Sequence, residues 1–159
     1  MREKIYPIAQ LKQILQRERK TGKKIVFTNG CFDILHVGHV HYLTAAKKRG
    51  DILVIGLNSD RSVKGLKGDK RPLIDETARA EVLSSLEVVD YISIFNESTA
   101  NQIIADLQPD IYVKGGDYQI GNLPEVSTVA SYGGEVQLIP VVTGASTTNI
   151  IKEILRRYG

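Results

Sequence analysis

The stretch that most constrains the fold is Gly30-Cys31-Phe32-Asp33-Ile34-Leu35-His36-Val37-Gly38-His39. The apolar run before it, residues 24–29, reads as a strand, and the pattern after it, residues 40–49 closed by Gly50, reads as a helix. A helix start offers N–H groups without intrahelical partners and a partial positive charge, which together suit phosphate. His36 and His39 are three residues apart and can share a face of the first turn, whereas His41 points elsewhere.

The same strand–helix alternation runs through the chain. Residues 7–20 predict a helix, with Pro7 in its first turn, an apolar stripe of Ile8, Leu11, Ile14 and Leu15, and a stop at Thr21-Gly22. Residues 51–57 form a second strand, apolar almost throughout, as a parallel strand covered on both faces should be. Residues 61–71 read as a cationic loop carrying Arg61, Lys64, Lys67, Lys70 and Arg71 against Asp69 alone. A helix over 75–86 capped by Asp75, a strand over 88–95, and a helix capped by Ser98 and running to Leu107 follow. The rest predicts a strand over 110–114, a short helix over 124–132, a strand over 135–140, a small-residue loop over 143–148 and a final amphipathic helix over 149–157.

Strands alternating with helices imply a parallel sheet, and right-handed crossovers make it a Rossmann-like, doubly wound α/β sheet of five strands. The expected order is 3-2-1-4-5 with helices on both faces. Residues 1–159 read as a single domain, with the helix of residues 1–22 packed on it. Ligands in such sheets bind beyond the carboxyl ends of the strands, at the switch point. The unusual residues all follow strand ends: 29–39, 58–71, 115–118 and 143–148.

Composition narrows the partners. A net charge of +3 with clustered basic residues favours a small anionic ligand over nucleic acid. A single cysteine excludes an internal disulfide and a cysteine-built zinc site. No run has the length and apolarity of a membrane span or signal peptide, so the expectation is a cytoplasmic protein without membrane or nucleic-acid partners.

There is no Walker A sequence and no G-x-G-x-x-G, which disfavours P-loop kinase chemistry and a standard dinucleotide site. A lone histidine at a helix start is usually structural; two in H-x-G-H behind an Asp-containing loop point to function, and Gly38 between them lets a phosphate reach the backbone. A metal site from His36, His39 and Asp33 is an alternative, though it needs a further ligand. Cys31 as a nucleophile is another, but a buried small hydrophobe is the commoner role. The basic run is either a solvated face or a phosphate contact, with Lys67, Lys70 and Arg71 deepest in the segment returning to the sheet. Gly144-Ala145-Ser146-Thr147-Thr148 opens the last helix and offers a cap, phosphate donors, or both. These parts suit nucleotidyl transfer. A phosphate monoester nucleophile needs no dedicated base; it needs positioning, imidazole and ammonium donors, helix dipoles and usually Mg²⁺.

Asn29-Gly30-Cys31-Phe32-Asp33 with His36-Val37-Gly38-His39 resembles the cytidylyltransferase-like H-x-G-H nucleotidyltransferases. Residues 57–64, Arg71-Pro72-Leu73, Lys114-Gly115-Gly116-Asp117-Tyr118 and residues 146–151 are most similar to the D-glycero-β-D-manno-heptose 1-phosphate adenylyltransferase branch. That resemblance implies transfer of AMP from ATP, with Mg²⁺, to heptose 1-phosphate, giving ADP-heptose and pyrophosphate for a lipopolysaccharide core or related surface glycan. It implies catalytic roles for His36 and His39; the basic run, read by its position on the ligand edge, adds Lys67 and Lys70 as catalytic candidates. Nucleotide and phosphate would be held by Asn29, Gly30, Cys31, Phe32, Gly38, Gly115, Asp117, Ser146 and Thr147. The sugar phosphate would be held by Asp33, Arg71, Arg79, Lys114 and Gly116, and no residue is assigned to a resident metal. Many relatives fuse this domain to a sugar kinase; here a separate kinase is expected to supply the substrate, and relatives commonly form homodimers. Glycerol-3-phosphate cytidylyltransferases carry Arg-Thr-Glu-Gly before the final Ser-Thr pair, where this chain has Val141-Val142-Thr143-Gly144. That difference weakens a cytidylyl reading. A nucleotide-binding regulatory module on the same fold is the alternative that is not an enzyme.

Overall fold

A computed structural model describes residues 3–116 and 118–159. In chain order the elements are α1 (Ile8–Lys20), β1 (Ile25–Gly30), α2 (Val37–Lys47), β2 (Ile52–Asn58), α3 (Asp60–Lys67), α4 (Glu76–Ser84), β3 (Tyr91–Phe95), α5 (Asn101–Leu107), β4 (Ile111–Gly115), α6 (Val126–Ser131), β5 (Glu135–Ile139) and α7 (Thr147–Tyr158). A 3-10 turn, Ile120–Asn122, lies between β4 and α6. The sheet has five strands, paired in parallel in the expected order β3-β2-β1-β4-β5.

Two apolar layers sandwich the sheet. On one face Leu11 and Leu15 of α1, Ile103, Ile104 and Leu107 of α5 and Val129 of α6 pack on Ile25, Phe27, Val54 and Tyr112. On the other, Leu43 and Ala46 of α2 and Ala80 and Leu83 of α4 pack on Val26, Leu53, Ile55, Leu57 and Val113. Alternate strand residues serve opposite layers, which is why β2 is buried along its whole length. The outer edge of β3 is covered in part by the segment before α1: Ile92 N–H donates to Lys4 O at 2.8 Å and Tyr6 N–H to Ile92 O at 3.0 Å.

Two expectations are corrected. The cationic segment is not a plain loop: residues 60–67 form α3. Ser59 caps it by accepting from Ser62 N–H, Asp60 sits in its first turn, and Lys64 and Lys67 sit in its last, where cations suit the dipole. Gly68 then stops the helix with φ 92°. Ser98 does not cap α5. That helix begins at Asn101 after Ala100, whose N–H is taken by the Glu125 carboxylate instead.

Candidate active site

β1 ends in Asn29-Gly30, and the chain turns sharply at Phe32, whose φ of 46° is unusual for a residue with a Cβ. That turn sends Asp33 toward α4 and brings Phe32 against His39, ring centroids 5.1 Å apart. His36 is the N-cap residue of α2 and His39 lies in its first turn. The helix starts three residues before the sequence pattern suggested, so both rings belong to its N-terminus. They stack with centroids 3.8 Å apart and an interplanar angle of 25°. His36 N–H donates to His39 Nδ1 at 3.4 Å, which leaves the proton of a neutral His39 on Nε2. Burial lowers the pKa of His36, and burial followed by the charge of His36 pushes His39 down to about 4. Both rings are therefore neutral donors at pH 7 before any anion binds.

Facing α2 is the start of α7. Ser146 caps it, its Oγ accepting from Asn149 N–H at 3.0 Å, and the Thr147 hydroxyl donates to Ile34 O at 3.3 Å. A Cβ on Gly38 would lie 2.9 Å from Ala145 Cβ, so glycine lets the two helix starts approach. Both open into one crevice of about 700 Å³ at the carboxyl ends of β1 and β4.

The crevice wall includes Asn29, Gly30, Cys31, Phe32, Asp33, His36, Gly38, His39, Lys67, Arg71, Lys114, Gly115, Ser146 and Thr147. Most of the residues proposed from sequence thus meet in one place. Three do not. Arg79 is 2% exposed, and its guanidinium is committed to the protein: Nε to Ile74 O, NH1 to Cys31 O and Asn58 O, and NH2 to Asp60 Oδ1. It pins the floor beneath the crevice and cannot reach a substrate. Lys70 lies beyond the Gly68 turn, exposed and off the wall. Gly116 N–H donates to Ile139 O, extending the β4–β5 ladder behind the wall. Asp117 is outside the described residues.

Asp33 borders the crevice, but its oxygens face the 71–74 segment, accepting from Arg71 Nε at 2.5 Å and from the Leu73 and Ile74 N–H groups. Burial alone would raise its pKa; those hydrogen bonds and the Arg71 charge outweigh burial and hold it below the usual carboxylate range. Asp33 therefore positions Arg71 rather than meeting substrate itself, and it is not free to complete a metal site with the two histidines. Burial pushes the Cys31 thiol up despite nearby Lys67, Arg79 and Arg71, so Cys31 stays a thiol and a poor nucleophile.

Sequence reasoning missed several wall residues. Ser98 and Thr99 follow β3, and the rule that ligands sit beyond strand ends could have found them. Tyr42, which donates to Val113 O at 3.1 Å and shares a 2.6 Å hydrogen bond with Thr28 Oγ1, fixes β4 beside α2. Glu125 gave no local signal.

The cytidylyltransferase-like family model matches residues 27–153. The chain belongs to the cytidylyltransferase-like family. The bifunctional protein HldE of Geobacter metallireducens is 56% identical over 98% of this chain, and that of Syntrophotalea carbinolica is 55% identical over 93%. This chain spans only 32% and 30% of those two proteins, about a third of each. A crystal structure of a lipopolysaccharide core biosynthesis protein from Thermoplasma volcanium superposes with a TM-score of 0.63 and 32% identity, covering 76% of this chain and 98% of that one. In this cytidylyltransferase-like chain, then, the H-x-G-H histidines stand where two helix N-termini converge.

Proposed function

We propose that the chain is a nucleotidyltransferase that moves AMP from ATP to a heptose 1-phosphate, releasing pyrophosphate. The observation that carries the chemistry is the stacked His36–His39 pair across Gly38 from the start of α7, with Lys67 and Arg71 on the same wall. The similarity to HldE proteins and to the lipopolysaccharide protein, with the motif resemblance, supports the substrate and a place in surface-glycan synthesis.

In this reading the two helix starts and Ser146 hold the triphosphate. The acceptor's phosphate oxygen attacks the α-phosphorus in line, and the bond to pyrophosphate breaks. Neutral His36 and His39 donate N–H to charge developing on the α-phosphate and leaving group, which costs no reorganisation when they are already stacked and packed. Lys67 and the terminal nitrogens of Arg71 bring in the acceptor phosphate. Mg²⁺ bound with ATP would supply charge neutralisation on its phosphates. Among the described residues there is no cluster of three or more His, Cys, Asp or Glu.

The acceptor must arrive phosphorylated, so a sugar kinase must act before this enzyme, in the ATP-bearing cytoplasm. No helix among the described residues is long and apolar enough to cross a membrane. A homodimer fits the apolar residues that α7 leaves exposed, Ile154, Leu155 and Tyr158.

The test is pyrophosphate release with Mg²⁺, crossing ATP and CTP against heptose 1-phosphate and glycerol 3-phosphate. Turnover confined to ATP with heptose 1-phosphate is expected. Turnover with CTP and glycerol 3-phosphate alone would overturn the substrate assignment, and no turnover with any pair would overturn the reaction.

A further inference from the structure

The crevice holds an acid that phosphate chemistry does not use. Glu125 precedes α6, is 4% exposed, and lines the crevice beside Ser98, Thr99 and Pro124. Its Oε1 accepts from Ala100 N–H at 3.3 Å. Its Oε2 is buried and has no hydrogen-bond partner among the described residues. The site's two ion pairs join Arg71 to Asp33 and Arg79 to Asp60, so neither arginine is spent on Glu125. A buried carboxylate oxygen left without a donor is costly, and such a group at a ligand site is commonly completed by the ligand.

A second observation specifies the surroundings. The Tyr112 hydroxyl donates to Asn29 Oδ1 at 2.6 Å, which leaves Nδ2 as the donor end of an amide on the crevice wall. Burial first, and then the charge of Glu125, push the Tyr112 phenol up, so Tyr112 keeps its proton and Asn29 its orientation. The wall thus presents Glu125 Oε2 as an orphaned acceptor and Asn29 Nδ2 as a donor.

A carboxylate repels phosphate and requires a donor. The parts of both substrates that donate without negative charge are mainly sugar hydroxyls. We propose that Glu125 is a specificity-determining residue whose Oε2 accepts a hydrogen bond from a sugar hydroxyl of the bound substrate. The hydroxyl belongs to the ribose of the nucleotide or to the ring of the acceptor sugar phosphate. This inference rests on the nucleotidyl-transfer reading above.

The test compares wild type with Glu125→Gln and Glu125→Ala in pyrophosphate release, titrating ATP, 2′-deoxy-ATP, 3′-deoxy-ATP, the acceptor sugar phosphate and its ring-deoxy analogues. Gln keeps an oxygen for Ala100 N–H and nearly the same volume, so it carries the test should the Ala variant fold poorly. The expected result is a KM about 10-fold or more higher for one substrate, with the other substrate's KM unchanged. The analogue lacking the contacted hydroxyl should bind wild type and variant alike. A deoxy-ATP showing this loss assigns the ribose; a deoxy sugar phosphate assigns the acceptor. Unchanged KM values for both substrates would overturn the proposal. So would a joint rise accompanied by a lower Tm in the Gln variant, which makes Glu125 only a prop for α5. A rise for ATP that neither deoxy nucleotide reproduces would also overturn it. A wild type that releases no pyrophosphate overturns the nucleotidyl-transfer reading instead; calorimetric titration of the same variants with ATP, the sugar phosphate and the deoxy analogues then still decides the Glu125 contact.

Discussion

At the residue scale, the two histidines and Arg79 show how burial separates side chains that line the crevice from those that support it. His39 is clamped between Phe32 and His36 and its pKa is pushed down to about 4, mainly by burial. The unfolded chain therefore binds a proton between the ordinary histidine value of 6.5 and about 4 that the folded protein does not. Stability is full above 6.5 and falls as pH drops toward 4. Thermal melts of the ligand-free protein should show that fall, and His39→Asn should shrink it; an unaltered pH profile in the variant would assign the fall elsewhere. Catalytically, His36→Ala or His39→Ala should lower kcat by about 10²-fold or more with ATP affinity nearly unchanged. Near-wild-type turnover in both would remove the histidines from the chemistry. Arg79 behaves oppositely. Arg79→Met strips partners from the Ile74, Cys31 and Asn58 carbonyls, so urea unfolding should show a loss of about 3–5 kcal/mol. A loss under about 1 kcal/mol would return Arg79 to the substrate side.

At the element scale, α3 explains why one lysine of the basic run reaches the crevice and another does not. The capped helix places Leu66 and Lys67 on the wall, and Gly68 then turns Lys70 away. Lys67→Ala should reduce kcat/KM by about 10-fold or more, the loss expected for one charge-assisted phosphate contact, whereas Lys70→Ala should stay within about 2-fold. Equal effects in the two variants would mean that only the local field matters, and not the helix register.

At the scale of the whole molecule, the site exists because α2 and α7, far apart in the chain, meet at Gly38 and Ala145. Gly38→Ala adds a methyl that would sit 2.9 Å from Ala145 Cβ and 3.0 Å from the His36 ring. It should drive the helix starts apart and cut kcat/KM by about 10-fold, with Ala145→Gly in the same chain restoring part of the loss. Steady-state kinetics of the single and double variants decide this; no rescue would place the damage in the His36 ring instead.

The parallel order of the sheet, the strand ends that border the crevice and the histidine pair were all legible in the sequence. Apolar periodicity and punctuation by Gly, Pro and capping residues are local, and crossover handedness leaves few topologies. The sequence did not separate Lys67 from Lys70, because a stretch rich in lysine and glycine reads as a loop until Ser59 is seen capping it. It could not separate Arg71, at the crevice, from Arg79, beneath it, because the carbonyls that capture Arg79 come from three different segments. Nor could it find Glu125, whose place depends on the start of α5 arriving beside it, Ala100 N–H meeting its carboxylate. Patterning along the chain determined which residues leave the strands at the ligand edge. Only tertiary packing decided which of their polar groups are spent on the protein and which remain for a substrate, because that depends on donors and acceptors brought together from distant parts of the chain.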